Sequence, residues 1–277
     1  MQGRFSTKTN RIKKPLLLTV IAAAAFLFAV FVAALVWPEA SGKKLQTNGK
    51  LTVDSGNASY GYIRVMGKKS KKRLKLRIAF KNETLTYDLN SDGEFEVFPL
   101  QNGSGKYSVT LYEQVSGKKY SQAGKLTVNA KLEDEDAAFL CPNQYVNYGP
   151  DNPLVSVALE ICEGMTDEKE IFDTVCKYVT KNFGYDYIKA ATVTTGTLPN
   201  IDECLKKKMG ICQDLAAVTV CMLRCNGIHA RLVIGYADNT YHAWVVATVN
   251  GEEVFFDPTV AVKALKNVKT YTVERIY

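Results

Sequence analysis

An uninterrupted apolar segment near the N-terminus constrains this chain more than any other feature of its sequence. Residues 16–37 form a run of 22 residues without a charged side chain. At ~1.5 Å of rise per residue, such a run is long enough to cross the hydrocarbon layer of a bilayer as a helix. We therefore predict a transmembrane helix over residues 15–37.

The charge that precedes this run predicts its orientation. Five basic residues and no acidic residue lie within the first fourteen positions. This asymmetry predicts a cytoplasmic tail over residues 1–14, with everything after the span outside the cytoplasm, as in a single-pass protein of the cell membrane. The alternative is a cleaved signal peptide, whose apolar stretch usually covers only about 7 to 15 residues. Only Val32-Ala33-Ala34 and Glu39-Ala40-Ser41 resemble the cleavage site that it would need.

The net charge of +7 belongs mostly to this tail, because subtracting its five basic residues leaves +2 for the rest of the chain. The remaining lysines and arginines are scattered and do not alternate with aromatic residues. This distribution argues against a nucleic-acid partner.

Cysteine usage separates the two halves of the chain, since none of the seven cysteines precedes Cys141. Outside the cytoplasm disulfides are permitted, so pairing among them is one interpretation. The other is that several are small buried hydrophobic residues. No CxxC pair is accompanied by a second CxxC or a histidine pair, and we predict neither a metal site nor a cofactor.

Residues 50–130, which follow a polar linker over residues 38–49, alternate between apolar and polar side chains with a period of two. Turn-forming clusters interrupt the alternation, which predicts short strands without a helix. This pattern is typical of a β-sandwich of the immunoglobulin-like type. The region contains no histidine or cysteine, and we interpret it as a spacer or a recognition module. The predicted strands cover residues 51–53, 59–66, 74–80, 84–89, 94–99, 106–113 and 125–129.

Helical periodicity begins near residue 131, so a second domain of mixed α+β type is predicted over residues 131–277. Its helices are expected to begin near Thr166 and to cover residues 200–209 and 212–225. The last of these is almost wholly apolar and ends at Asn226-Gly227, which predicts a buried central helix. Strands are predicted afterwards over residues 230–236, 241–249, 253–257 and 270–276.

The residue that begins the central helix is a cysteine, Cys212, directly after Gly210 and Ile211. In the first turn of a helix, unpaired N–H groups and the positive end of the helix dipole favour a thiolate over a thiol. The same N–H groups can donate to the oxyanion that forms when a thiolate attacks a carbonyl. We therefore predict that Cys212 is a nucleophile.

A hairpin supplies two further groups. Asn250-Gly251 between apolar strands predicts a two-residue type I′ turn, which fixes the register of the strands. Continued along the ladder, that register pairs Trp244 with Asp257 and His242 with Thr259, all on one face. His242 and Asp257 are then diagonal neighbours at roughly 7–8 Å. An aspartate in that position can orient the imidazole towards a thiol, as in thiol and serine triads.

Four sequence blocks resemble the transglutaminase-like superfamily, a branch of the papain-like thiol enzymes, and in particular its bacterial-type, membrane-anchored members. The resemblance covers residues 165–260, and the blocks occur in family order with family-like gaps. They are Gly210-Ile211-Cys212-Gln213-Asp214, then 227–231 leading to Gly235-Tyr236, then Tyr241-His242-Ala243-Trp244, and finally Phe256-Asp257-Pro258-Thr259.

The resemblance implies a central helix packed on an antiparallel sheet and a catalytic triad. Cys212 would be the nucleophile, His242 the base and Asp257 the group that orients the histidine. His229 departs from the family, which usually has a small residue or proline there, and we interpret it as an edge or surface histidine. The calcium sites of the family are not evident in this sequence.

Several neighbouring residues are candidates for the oxyanion site or the cleft. Gln213 can assist the oxyanion, and Tyr185 and Tyr187 are candidates for the aromatic donor that larger transglutaminases use. Trp244 shares the face of the histidine, where it either walls the cleft or packs in the core. Asp214 either contacts a functional group or accepts from N–H groups at the start of the helix.

These observations predict an enzyme that performs acyl transfer or amide hydrolysis through a thioester. It would be a transglutaminase-like acyltransferase or a cysteine protease or amidase, depending on whether an amine or water resolves the thioester. The expected substrate is an extracellular protein or a cell-wall peptide. The alternative is a binding protein of the cell envelope that keeps the fold while its triad is idle.

Overall fold

The computed structural model describes residues 37–277, and their first part is built from strands. Eight strands form two antiparallel four-stranded sheets, in the orders β1-β2-β3-β6 and β5-β4-β7-β8. The strands are β1 (Leu45–Asn48), β2 (Leu51–Asp54), β3 (Tyr62–Gly67), β4 (Leu74–Phe80), β5 (Glu83–Leu89), β6 (Glu96–Pro99), β7 (Gly105–Ser116) and β8 (Lys119–Ala130).

Alternating burial explains why these segments form sheets. In β4, Leu74, Leu76, Ile78 and Phe80 are buried on one face while the residues between them are more exposed. The predicted strands overlap observed ones, with three differences. Residues 58–60 form a 3-10 helix where a strand was predicted from residue 59, β8 begins at Lys119 rather than at residue 125, and the range 38–49, predicted as a linker, contains the strand β1. The immunoglobulin-like assignment stays a prediction.

The predicted basic tail lies outside the described residues, and so does the predicted transmembrane helix apart from Trp37. Between residues 37 and 277, the structure contains no helix long and apolar enough to cross a bilayer.

The second part combines six helices with a four-stranded antiparallel sheet of order β13-β12-β11-β14 and a short parallel pair, β9 and β10. The helices α1, α3 and α6 and the short strands β9 and β10 were not predicted from the sequence. The helices are α1 (Pro153–Ile161), α2 (Glu168–Asn182), α3 (Tyr187–Thr192), α4 (Ile201–Lys207), α5 (Cys212–Cys225) and α6 (Pro258–Ala261). The strands are β9 (Gly184–Tyr185), β10 (Met209–Gly210), β11 (Ala230–Ala237), β12 (Thr240–Val249), β13 (Glu252–Phe256) and β14 (Tyr271–Ile276).

Helix α5 is the centre of this part, since it contacts α1, α2 and α4 as well as β11 and β12. Every residue of this helix from Asp214 onward is buried. The prediction of a buried helix over residues 212–225 that packs on an antiparallel sheet agrees with the structure. The bounds of the helix could be predicted because an apolar run lies between Gly210 and Asn226-Gly227.

The start of α5 depends on the absence of a side chain at Gly210. This glycine does not adopt a positive φ. A Cβ at Gly210 would instead lie 2.7 Å from the Cys204 sulfur and 2.7 Å from the Asp214 Cβ. The glycine is therefore needed for close packing at the helix start rather than for an unusual backbone conformation.

The opposite end of α5 is fixed by Arg224, which is 1% exposed. Its guanidinium donates to the carbonyl oxygens of Cys141 at 2.5 Å, Ala230 at 2.9 Å and Tyr277 at 3.0 Å. Burial lowers the pKa of Arg224. Since these carbonyls belong to three separate segments, one side chain joins them to the end of the central helix.

The β12–β13 hairpin follows the predicted register for only part of its length. Asn250 and Gly251 have φ values of 52° and 81°, as a type I′ turn requires, and the ladder runs from Val249 opposite Glu252 to Val245 opposite Phe256. The predicted ladder pairs of Trp244 with Asp257 and of His242 with Thr259 are wrong. The strand ends at Phe256 because Pro258 has no N–H to donate and begins helix α6 instead.

Candidate active site

Asp257 caps helix α6, and this role fixes its carboxylate. Its Oδ1 atom accepts from the backbone N–H groups of Thr259 at 2.8 Å and Val260 at 3.1 Å. Its Oδ2 atom accepts from His242 Nε2 at 2.8 Å and from the Tyr271 hydroxyl at 2.9 Å. Burial alone would raise the pKa of Asp257, but the bonds from His242, Val260 and Tyr271 outweigh burial and lower it. The side chain is therefore a buried carboxylate with both oxygens engaged.

His242 lies on β12 opposite Gly235 and is only 3% exposed. Because an ionised carboxylate can only accept, the Nε2 atom of His242 donates to Asp257, and Nδ1 is the nitrogen left for Cys212. Burial lowers the pKa of His242, but the hydrogen bond to Asp257 and the neighbouring Cys212 outweigh burial and raise that pKa from 6.5 to about 9. The imidazole is thus fixed by a carboxylate on one side and lines the cleft of Cys212.

Cys212 differs from the other cysteines in its exposure. All seven lie within the described residues and none forms a disulfide; six are buried, and Cys212 is half-buried. Burial raises the pKa of Cys141 to about 11 and that of Cys204 to about 12. Cys212 instead faces a cleft of about 420 Å³, which His242 also lines. It is the cysteine that a substrate can reach.

Trp244 stabilises the histidine from within the core and does not line the cleft. Its side chain is 2% exposed, and its ring lies 6.3 Å from the His242 ring at an interplanar angle of 25°. It also contacts Tyr271 edge-on, with ring centroids 5.0 Å apart. Of the two predicted roles, core packing describes its position.

The oxyanion candidates occupy different positions. Gln213 lines the cleft, and its amide donates to the Thr197 carbonyl at 2.9 Å. Tyr185 also lines the cleft; burial, followed by the neighbouring Cys212, raises the pKa of its hydroxyl to about 12. Tyr187 lies edge-on to Tyr185 but is 65% exposed and does not line the cleft. The structure therefore places Gln213 and Tyr185 beside Cys212, and Tyr187 outside.

Asp214 is fully buried and organises the cysteine turn. Its carboxylate accepts from the N–H groups of Asn200 and Ile211, both at 3.0 Å, and forms an ion pair with Lys189 at 2.8 Å. Asp214 therefore accepts from an N–H group at the helix start, which was one of its two predicted interpretations. His229 lies elsewhere and is hydrogen-bonded to Asp134 at 2.7 Å.

Sequence reasoning missed two neighbours of this site. Tyr271 reaches Asp257 from β14, and Lys189 reaches Asp214 from the short helix α3. β14 can approach because Gly235 has no side chain, and a Cβ there would collide with the backbone of Thr272. The one sequence signal of this close approach was Gly235, which lies opposite His242.

A comparison with protein families now assigns the fold. Residues 155–258 match the family described as the Transglutaminase-like superfamily. This part of the chain is a transglutaminase-like domain. A comparison with curated proteins gives no match.

Three solved structures are among those with similarity to this chain. A presumed cysteine protease from Cytophaga hutchinsonii is 15% identical with a TM-score of 0.40, over 84% of this chain and 90% of that one. The periplasmic domain of TgpA from Pseudomonas aeruginosa is 16% identical with a TM-score of 0.37, over 83% of this chain and 77% of that one. A structure described as a TGase is 16% identical with a TM-score of 0.37, over 45% of this chain and 37% of that one. The family assignment rests on the match over residues 155–258.

Proposed function

We propose that this chain is a thiol enzyme that transfers or hydrolyses acyl groups outside the cytoplasm, with Cys212 as nucleophile, His242 as acid and base, and Asp257 as the orienting group. The observation that carries the proposal is that His242, bound to the buried Asp257 at 2.8 Å, lines the same exposed cleft as Cys212. Six other cysteines are buried and have no comparable path to a substrate.

The first half of the reaction forms a thioester. The Cys212 sulfur attacks the carbonyl carbon of a carboxamide or peptide, and the carbonyl electrons move onto oxygen. As this tetrahedral intermediate collapses, the C–N bond breaks and the departing nitrogen takes a proton from the His242 imidazolium. Ammonia or an amine leaves, and the acyl group remains on sulfur.

The second half releases the acyl group. An amine or a water molecule attacks the thioester carbon, and His242 takes the proton from the attacking group. The C–S bond breaks, and the thiolate re-forms beside the protonated histidine. Attack by an amine gives a cross-link, whereas attack by water gives deamidation or peptide cleavage.

The oxyanion of each intermediate needs donors close to Cys212. The first N–H groups of a helix have no partner within the helix, so those at the start of α5 are available to it. The Gln213 amide and the Tyr185 hydroxyl line the same cleft and are the side-chain candidates. The proposed site therefore needs neither a metal nor a cofactor.

The test uses N,N-dimethylcasein as acyl donor and a fluorescent primary amine as acceptor, with mass spectrometry of the casein. Amine incorporation indicates transfer, conversion of glutamine to glutamate indicates deamidation, and new termini indicate proteolysis. Cys212→Ala should abolish whichever product forms, and the matched control Cys221→Ala should retain it. A folded protein that gives none of the three products and no thiol labelling at Cys212 would instead be the binding protein with an idle triad.

We extend the proposal to location and substrate. The apolar run over residues 16–37, preceded by five basic residues, supports an anchor in a bacterial cell membrane with the transglutaminase-like domain outside. The substrate would then be an extracellular protein or a cell-wall peptide. Membrane fractionation tests the anchor: the full chain should remain with membranes after a high-salt wash, and a chain lacking residues 1–37 should not. Recovery of the full chain in the soluble fraction would contradict it.

A further inference from the structure

The cleft beside Cys212 carries positive charge that nothing in its lining neutralises. Arg275, on β14, lines it together with Cys212 and His242. No aspartate or glutamate is among the described residues that line this cleft. A substrate group that enters it therefore meets a cation and no competing carboxylate.

Arg275 has tyrosines rather than acids as its neighbours. Burial lowers its pKa, but the neighbouring Tyr277, Tyr241 and Tyr145 outweigh burial and raise it. Tyr277 is buried, and its ring is stacked on Tyr145 with centroids 3.6 Å apart at an angle of 15°. Tyr145 and Tyr241 also line the cleft. The guanidinium is thus held beside hydroxyl groups that can donate hydrogen bonds.

The other cations around the site are already engaged. Lys189 forms an ion pair with the buried Asp214 at 2.8 Å. Arg275, in contrast, belongs to none of the ion pairs within residues 37–277. Glu274 is the neighbour of Arg275 in the strand. Its charge helps to raise the pKa of Tyr241, but Glu274 does not line the cleft. A guanidinium binds a carboxylate or a phosphate through two parallel hydrogen bonds, and of these two groups the carboxylate is the one that an unmodified peptide carries.

We propose that Arg275, with Tyr145 and Tyr241, forms a subsite for a carboxylate of the substrate, and that the enzyme prefers acyl donors with a free carboxylate close to the attacked carbonyl. This inference rests on the proposed function, because it assigns specificity to the cleft of Cys212. The carboxylate can belong to a chain terminus or to an acidic side chain.

Paired alkylating reagents test the subsite without knowledge of the natural substrate. In bromoacetylglycine and bromoacetylglycinamide, the Cys212 sulfur displaces bromide from the same carbon, but only the first carries a terminal carboxylate. Bromoacetyl-glutamate α-amide and bromoacetyl-glutamine α-amide form the corresponding pair for a side-chain carboxylate. The readout is the ratio of acid to amide rate constants at Cys212, measured by mass spectrometry and divided by the ratio for N-acetylcysteine.

In at least one pair, the ratio for the unaltered protein should exceed that for Arg275→Gln about fivefold. The pair that shows the preference identifies the source of the carboxylate. Arg275→Lys should retain part of the preference, and Glu274→Gln should keep the ratio of the unaltered protein. The preference should also weaken as salt rises, because a partly exposed charge is screened.

Two negative results have different meanings. If Cys212 reacts with the amide reagents but the ratio is equal in the unaltered protein and Arg275→Gln for both pairs, the carboxylate subsite is wrong and the proposed function stands. If Cys212 reacts no faster than a buried cysteine of the same chain with any reagent, the proposed function fails, and the subsite fails with it.

Discussion

The two ends of the central helix α5 carry the same residue type in opposite environments. Cys212 begins the helix, half-buried at a cleft that a histidine also lines. Cys221 and Cys225 lie in its last turns, buried among apolar neighbours, and burial raises the pKa of Cys221. The comparison teaches that the reactivity of a thiol here depends on which end of the helix holds it, not on the helix itself.

Each end also contains a buried charge, and the two charges are stabilised differently. At the start, Asp214 forms an ion pair with Lys189 and accepts two backbone N–H groups. At the end, Arg224 donates to backbone oxygens of three separate segments and forms no ion pair with an aspartate or glutamate of the described residues. The first arrangement shapes the turn that presents Cys212, and the second joins distant segments of the fold. We therefore expect chemical effects at one end and stability effects at the other.

The largest expected difference is in thiol reactivity. In the native protein, iodoacetamide should alkylate Cys212 at least ~10³-fold faster than Cys221 or Cys225, because buried thiols react only after an opening that costs several kcal/mol. Peptide mapping by mass spectrometry during the reaction measures each rate. Comparable alkylation rates at the two ends of α5 would contradict the claim that thiol reactivity depends on the end of the helix.

Next is the loss of the buried arginine. Arg224→Met should lower the free energy of unfolding by about 3–5 kcal/mol, because three buried carbonyls lose their donor. Urea denaturation measures the change, and Lys207→Met on an exposed helix is the matched control. The Cys212 alkylation rate of folded Arg224→Met should match that of the unaltered protein. If Arg224→Met kept its stability but its Cys212 were alkylated more slowly, Arg224 would affect the chemistry of the site rather than the stability of the fold.

The third effect follows from the pKa of His242, which is raised from 6.5 to about 9. Between these pH values the folded state binds more protons than the unfolded state, so stability falls as pH rises. The contribution is complete below pH 6.5 and is lost through pH 9, and it amounts to roughly 3 kcal/mol at most. Urea denaturation across this window should show the decline in the unaltered protein and a flatter profile in His242→Gln. Parallel profiles would show that His242 is not held as an imidazolium.

The smallest expected effect is at Tyr271. Removing its hydroxyl in Tyr271→Phe should cost about 1 kcal/mol of unfolding free energy at pH 7, because Asp257 loses one donor. That loss should vanish under acid conditions, since the lowered pKa of Asp257 contributes stability that disappears as pH falls through it. Tyr236→Phe, on a half-exposed side chain of the same sheet, serves as control. Equal losses of unfolding free energy in the two variants would show that the Tyr271 hydroxyl does not stabilise Asp257.

Local signals predicted much of this fold. Helix α5 has the predicted bounds because Gly210 and Asn226-Gly227 delimit an apolar run, and the hairpin register followed from Asn250-Gly251 as far as Phe256. The register failed one residue later, where Pro258 converts the strand into a helix start. His242 and Asp257 meet because the aspartate caps that helix, not because a ladder continues.

Contacts between distant segments could not be predicted in the same way. Tyr271 follows a turn and a loop whose path the sequence does not specify, so its bond to Asp257 had no local signal. Lys189 belongs to a six-residue helix with no buried residue, which leaves no periodic pattern to detect. An arginine in the last helical turn, such as Arg224, is usually a surface group that interacts with the helix dipole. Its burial depends on carbonyls supplied by three other segments.

The central claim is that Cys212 is reactive because His242 lies beside it in the cleft, and the alkylation rate of Cys212 by iodoacetamide at pH 6 tests it most directly. Comparison of the unaltered protein with His242→Ala, with intact mass and peptide mapping as readout, isolates the contribution of the imidazole. The account predicts that the variant reacts about 10²-fold more slowly while remaining folded. Equal rates in the two folded proteins would contradict it.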